Sequence, residues 1–176
     1  MQTIHILAIV STVLFVAYNI IVNVINGKIL PSLSDSFYLL NEKKNGLGYA
    51  FSIMLFIVVI TLIPTAIDIT PDVWKFIPFI MCGSLALVGS APLFKAQDNP
   101  WHSVFAILSA AASIGWAIAL QAWICFTVGI SLAGLGWILS HFLLKQEWKS
   151  VKTYWLEMMC FYSVYITVIV RMIMSY

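Results

Sequence analysis

Six apolar runs dominate this chain, each close to the roughly 20 residues an α-helix needs to cross a hydrocarbon layer. They fall at about residues 4–25, 47–67, 73–91, 102–120, 123–144 and 153–174. Only 9% of the 176 residues are charged and 62% are hydrophobic, whereas a soluble domain carries roughly a quarter charged residues. A core of this length cannot hide so much apolar surface from water, so lipid must act as solvent. Peptide groups in lipid need internal partners, and the runs therefore read as helices. The expected fold class is all-α: a polytopic membrane protein, a six-transmembrane-helix bundle forming one integral membrane domain over residues 1–176.

The punctuation between runs supports this count. The first run is too long for a signal peptide, no Lys or Arg precedes it and no small-residue cleavage site follows, so it is expected to stay as a span. Asn26-Gly27 ends it. Pro64 marks a kink or exit near the end of the second run and Pro92 ends the third. Between the fourth and fifth, Gln121 is the one strongly polar residue and neither Gly nor Pro appears. The joint length of about 43 residues is twice a crossing, which predicts a tight hairpin between Leu120 and Trp123.

Six spans put both termini on one side. The loops after spans one, three and five carry Lys28, Lys43, Lys44, Lys95, Lys145, Lys149 and Lys152, whereas the other side carries Lys75 and Arg171. Positive residues mark the cytoplasmic side. The chain is thus expected to be N-out/C-out in a cell inner (plasma) membrane, as a multi-pass protein of bacterial type. Net charge is only +2, with no basic cluster, so nucleic acid is not an expected partner. Cys82, Cys125 and Cys160 all sit inside apolar runs and read as small buried hydrophobes.

The most polar stretch outside the short turns is Pro31-Ser-Leu-Ser-Asp-Ser-Phe-Tyr38. Pro31 argues against a helix crossing here. Ser34 or Asp35 is placed to cap a short helix through Leu40, with Asn41–Gly46 as a solvated turn. Polar residues inside the spans are expected to face the bundle. At helical spacing these are Thr12, Asn19, Asn23 and Asn26 on the first span; Thr61, Thr65 and Asp68 on the second; His102, Ser109 and Ser113 on the fourth; Thr127, Ser131, Gly134 and His141 on the fifth; and Glu157, Cys160, Thr167 and Arg171 on the sixth. For the small residues, including Ala106/Ala110 and Gly136/Ser140, helix packing explains the pattern without chemistry. Glu157 is different, because a carboxylate over a turn inside a span is costly unless paired or protonated.

The groups expected near the lysine-rich face form a candidate polar pocket: Asn23, Ser34, Asp35, Ser36, Lys95, His102, His141 and Glu157, with Tyr38 beside them. A metal hydrolase would draw ligands from His102, His141, Asp35 or Glu157, yet His-Glu-x-x-His is absent. A serine hydrolase would use Ser34 or Ser36 with His102 and Asp35, yet Gly-x-Ser-x-Gly is absent. A transporter would use the polar stripes as a path. The bland readings are turn chemistry for the serines and comfortable interfacial rings for the histidines.

Ser34-Asp35 after the first span, together with His102 opening the fourth as His-Ser-Val-Phe-Ala-Ile-Leu, resembles the DRAM/Sfk-type six-helix membrane proteins and their uncharacterised bacterial relatives. The glycine expected soon after Ser-Asp is replaced by Ser36-Phe37-Tyr38. The resemblance implies a six-helix bundle and a link to lipid handling or membrane homeostasis, and no established reaction. The leading expectation is a lipid-interacting protein with a polar pocket at the cytoplasmic face. The alternatives are a small transporter or channel component and a membrane-embedded lipid hydrolase. No cofactor is implied; the partners are membrane lipids, with a second copy or another membrane protein left open.

Overall fold

The computed structural model describes residues 3–90 and 100–174. These form α1 (Thr3–Asn26), α2 (Asp35–Lys43), α3 (Tyr49–Asp68), a 3-10 turn (Asp72–Trp74), α4 (Phe76–Ser90), α5 (Trp101–Ala119), α6 (Trp123–Leu144) and α7 (Lys152–Met174). Six segments are long and apolar enough to cross a membrane: α1, α3, the 3-10 turn continued by α4, α5, α6 and α7. The all-α six-helix architecture read from the apolar runs is the one found.

The boundaries differ where local chemistry outweighs punctuation. α2 continues past Leu40 through Asn41–Lys43, which had read as turn, and the Lys44 amide closes it on the Leu40 carbonyl. Asp35 in its first turn and Lys43 in its last both suit the helix dipole. α3 runs through Pro64 to Asp68; the proline forfeits one backbone bond near the helix end without stopping it. Pro78 lies in the first turn of α4, where a missing amide costs nothing.

α1 packs on α3, α3 on α4, α4 on α5 and α5 on α7, and α7 returns to α1. These five helices close a ring. α6 lies outside it, packed along α7 and touching α5 sparingly. The ring core holds Phe15 and Val22 of α1, Leu55 and Val58 of α3, Cys82 of α4, Trp116 of α5 and Met158 of α7, all buried. Phe15 stacks on Phe161 at 4.2 Å between ring centres. The outer surface is apolar, with Val24, Ile124, Phe142 and Leu143 facing away from the bundle, as lipid requires.

Polar side chains that do face inward act as ties. Ser11 Oγ donates to the Val58 carbonyl at 3.3 Å and lies 3.0 Å from the Tyr165 hydroxyl, joining α1, α3 and α7. Ser109 donates to the Met81 carbonyl at 3.0 Å. At the opposite end, Trp116 Nε1 donates to Thr70 Oγ1 at 2.7 Å. Such interhelical bonds are worth about 0.6–2 kcal/mol each in membranes. On α1 the buried hydroxyl is Ser11, whereas Thr12 bonds the Ala8 carbonyl of its own helix. The expected inward stripe on α6 is overturned further: Thr127 and Ser131 are exposed and bond Trp123 and Thr127 carbonyls. A hydroxyl satisfied by the carbonyl four residues back carries little cost toward lipid, so it does not dictate which way the helix turns.

The buried face of α6 is Cys125, Gly129, Ala133 and Ser140. A Cβ on Gly129 would lie 2.7 Å from the Ser163 backbone nitrogen, and one on Gly136 would sit 2.2 Å from the Trp155 ring. Ser140 accepts the Trp155 indole N–H at 2.9 Å. Gly136 and Ser140 therefore form the niche for Trp155, a packing role in line with their spacing.

The hairpin predicted at Gln121 is present. Gln121 takes a left-handed φ of 53°. The Ala122 amide reaches the Ala117 carbonyl and the Gln121 amide reaches Ile118, both at 2.9 Å, the paired closure of a Schellman cap. The Arg171 guanidinium donates to the Leu120 carbonyl, placing a cation on the helix end that favours it. Two substitutions should move stability in opposite directions in a thermal melt of purified protein. Gln121→Gly removes a left-handed side chain and raises stability by up to about 1 kcal/mol. Gly129→Val forces α6 off α7 and lowers it by at least about 2 kcal/mol.

Candidate functional site at the lysine-rich end

The segment between α1 and α2 folds back against the bundle, and side chains from three places satisfy its backbone. Asn23 Oδ1 accepts the Leu30 amide at 2.9 Å. Gln146, in the α6–α7 connection, brackets Ile29: its Oε1 accepts the Ile29 amide at 3.0 Å and its Nε2 donates to the Ile29 carbonyl at 2.8 Å. Glu157 Oε2 accepts the Leu33 amide at 2.6 Å. The Tyr154 amide donates to the Pro31 carbonyl at 2.9 Å. α7 begins where these bonds can be made, so the segment and the start of α7 fix one another.

Behind this clasp runs a chain of amides. Asn23 Nδ2 donates to Tyr154 Oη at 2.8 Å and to the Asn19 carbonyl at 2.8 Å. The Tyr154 hydroxyl donates to Asn19 Oδ1 at 3.2 Å. Asn19 Nδ2 donates to the Phe15 carbonyl at 2.8 Å. Asn19 and Asn23 thus tie α1 to α7, and Asn23 ties α1 to the early loop as well.

The remaining candidates make the following contacts. Ser32 Oγ donates to Asp35 Oδ2 at 2.8 Å and lies 3.1 Å from Ser34 Oγ. Ser36 Oγ donates to the Leu33 carbonyl at 2.7 Å and lies 2.7 Å from the Tyr18 hydroxyl, which therefore donates to it. Phe37 meets Tyr38 edge-on at 5.4 Å between ring centres. His102 is buried in the first turn of α5. His141 belongs to an aromatic group at the end of α6: its ring stacks on Trp148 at 4.4 Å, and Nδ1 lies 2.9 Å from the Gln146 carbonyl. It reaches the Pro31 segment only through Gln146. Lys95 lies outside the described residues.

Ser34 and Glu157 share one further feature. Both line a cavity of about 360 Å³ enclosed by α3, α4, α5 and α7. Below them the walls are Phe51, Leu55 and Leu62, Met81 and Leu85, Ala106, Ala110 and Ile114, and Phe161 and Val164. Ser109 and Ser113 also line it, with their hydroxyls donated to the Met81 and Ser109 carbonyls, so the cavity is mostly apolar along its length and carries Ser34, Thr153 and Glu157 at one end. His102 stands one turn before Ala106 on the same helix face. A separate groove of about 480 Å³ runs between α1 and the meeting of α6 with α7, past Asn23, Lys28 and Tyr154.

Among the described residues, no three His, Cys, Asp or Glu side chains gather as a metal-ligand set. Gln146, Tyr154, Tyr18 and Ser32 were not singled out from the sequence. Gln146 sits in a basic turn that reads as solvated, and a tyrosine near a span end reads as an interfacial ring. Neither carries a local signal that its polar atoms meet a distant backbone. No protein family matches the chain, and no curated protein or solved structure does so either.

Removing one anchor should loosen the Pro31 segment without unfolding the bundle. Asn23→Leu leaves the Leu30 amide and the Tyr154 hydroxyl short of a partner, at a cost of about 1–3 kcal/mol. Limited trypsin digestion should cut after Lys28 several-fold faster in this variant than in wild type, and Gln146→Ala should do the same.

Proposed function

We propose that this chain is a multi-pass membrane protein that binds an amphiphile at the cytoplasmic face. The ligand's apolar part lies in the cavity between α3, α4, α5 and α7, and its head lies toward Ser34, Thr153 and Glu157. The observation that carries this reading is the form of the cavity: mostly apolar walls over several helical turns, where Ser109 and Ser113 donate their hydroxyls to the Met81 and Ser109 carbonyls, with Ser34, Thr153 and Glu157 at the lysine-rich end. That is the usual make-up of a small-molecule site, a hydrophobic lining with few placed polar groups. His102 opens α5 one turn before the cavity-lining Ala106, and Asp35 opens α2 next in sequence to the cavity-lining Ser34. His141 lies in the neighbouring aromatic group and is not part of it. The resemblance to DRAM/Sfk-type proteins through Ser34, Asp35 and His102 points the same way, toward lipid handling or membrane homeostasis.

The other two readings gain less support. Transport of a polar solute wants a hydrophilic path, whereas this cavity is lined mostly by apolar side chains, and the hydroxyls of Ser109 and Ser113 are donated to backbone carbonyls. A serine hydrolase wants a poised hydroxyl, and Ser36 donates its proton to the Leu33 carbonyl.

The test is the lipid carried through purification. Ala110→Trp places an indole in the cavity, and mass spectrometry of an organic extract should then show loss of a lipid species that wild type retains. Ile138→Trp, on the outer face of α6, should keep it. Identical extracts from both variants would sink the proposal.

We place the lysine-rich end in the cytoplasm, with both chain ends outside, because seven of the nine Lys and Arg residues lie in the loops of that end. Reporter fusions after Lys44 and after Lys149 should both report cytoplasmic, and a fusion after Asp72 should report the outside.

A further inference from the structure

The lysine-rich end carries a second opening, apart from the cavity: the groove between α1 and the meeting of α6 with α7. Val16, Ile20 and Val24 of α1 and Leu144 of α6 line it, and all four are also exposed on the outer surface. The groove is therefore open sideways to hydrocarbon. Asn19, Asn23 and Tyr154 line it as well. Their polar atoms are joined to one another and to backbone, so they give a ligand little to hold.

What remains is charge at the mouth. Lys28 lines the groove, and a tight turn sets its backbone. Gly27 takes a left-handed φ of 70°, its amide reaches the Val24 carbonyl at 3.1 Å, and Asn26 Nδ2 donates to the Lys28 carbonyl at 3.0 Å. Lys145 follows the groove-lining Leu144 at the end of α6. The Gln146 bracket brings the two lysines near each other, because Ile29 follows Lys28, Gln146 follows Lys145, and the Gln146 side chain makes both of its bonds to Ile29. Both lysines are exposed, and neither makes an ion pair among the described residues. From Lys145 to Lys152 the chain adds Lys149 and carries Glu147 as its one carboxylate, so the local charge is positive.

Depth matches these charges to a phosphate. The aromatic group of His141, Phe142 and Trp148 surrounds the same end of α6, and tryptophan favours the level of lipid headgroups. Lys28 and Lys145 therefore meet the layer where phospholipid phosphates stand, and the apolar walls below them lie at acyl depth. A lysine ammonium is a compact charge on a flexible four-carbon stem and binds phosphate as a point charge. Basic pockets between transmembrane helices take anionic headgroups in this way.

We propose that this groove is a binding site for an anionic phospholipid, separate from the cavity. The phosphate lies between Lys28 and Lys145, and one acyl chain runs along Val24, Ile20 and Val16. Its walls treat all acyl chains alike, so headgroup charge makes the choice. A zwitterionic lipid brings its own ammonium toward the lysines and is disfavoured. The bound lipid spans the two loops that Gln146 joins and so reinforces the clasp on the Pro31 segment.

The experiment is native mass spectrometry of the full-length protein in detergent, titrated with palmitoyl-oleoyl-phosphatidylglycerol or with phosphatidylcholine of the same chains. The lysine pair should favour phosphatidylglycerol by at least about tenfold. Lys28→Gln combined with Lys145→Gly should bring the two lipids to equal affinity. Lys145 holds a left-handed φ of 52°, which glycine adopts freely, so this change does not strain the fold. Lys43→Gln combined with Lys44→Gln, at the end of α2, should leave the preference intact. A phosphatidylglycerol with a diazirine at mid-chain should leave adducts on Val16, Ile20 and Leu144.

Equal affinity of the wild type for the two lipids would overturn the inference. So would a preference that survives the change at Lys28 and Lys145, or one that is lost on changing Lys43 and Lys44. Ala110→Trp should leave phosphatidylglycerol binding as it is. If it abolishes that binding, the anionic lipid belongs to the cavity: this inference falls and amphiphile binding stands. If binding depends on Lys28 and Lys145 while Ala110→Trp strips no lipid, this inference stands and the cavity reading falls.

Discussion

A loop at the edge of a membrane must settle its peptide groups with protein atoms, because water thins out there and lipid offers no hydrogen bonds. The segment from Ile29 to Leu33 meets this demand with borrowed side chains. Gln146 acts toward Ile29 as a strand neighbour would, giving one donor and one acceptor. Asn23 and Glu157 each accept one amide. An unsatisfied buried amide costs about 1–3 kcal/mol, so three or four such bonds set the position of the whole segment. Everything placed by that segment follows: the start of α2, the serine cluster around Asp35, and Ser34 at the mouth of the cavity.

The clasp also explains why a carboxylate is tolerated inside α7. Glu157 is not an isolated charge adrift in hydrocarbon. It lies at the polar end of the bundle, beneath a loop whose Leu33 amide it accepts at 2.6 Å, and a charged acceptor makes this kind of bond stronger than a neutral one. The same residue shapes the cavity's polar end. One side chain thus links the stability of the loop to the character of the site, and a substitution there acts on both.

Much of this was legible in the residues. The six runs were set by length and composition alone, and the hairpin between Leu120 and Trp123 fell where span length required it, although no glycine or proline marks it. Gln121 takes the left-handed position that glycine normally holds, held there by the Schellman bonds and by Arg171 capping the adjacent carbonyl. Periodicity was less dependable for faces. It placed Ser109 and Ser113 correctly, because each is buried, and it failed on Thr127 and Ser131, whose hydroxyls are content with their own helix. It passed over Ser11, Tyr154 and Gln146 because their partners are remote in sequence: Ser11 meets Val58 and Tyr165, and Gln146 meets Ile29. Long-range pairing of a polar side chain with a particular peptide group leaves no periodic trace. Among the candidates, Asn23 ties the early loop, Ser32 and Asp35 share a turn, His141 stacks on Trp148, and Ser34 and Glu157 line the cavity.

α7 touches α1, α5 and α6, closes the ring and brings Tyr154 and Glu157 to the early loop. It is also the latest of the six spans to leave the ribosome. Until it arrives, α1 to α5 form an open arc, the niche formed by Gly136 and Ser140 stands empty, and the peptide groups around Leu33 lack an acceptor. The ring is therefore closed and the early loop clasped only through the sixth span: without α7, α1 and α5 have nothing to join them and the Leu33 amide loses the Glu157 carboxylate.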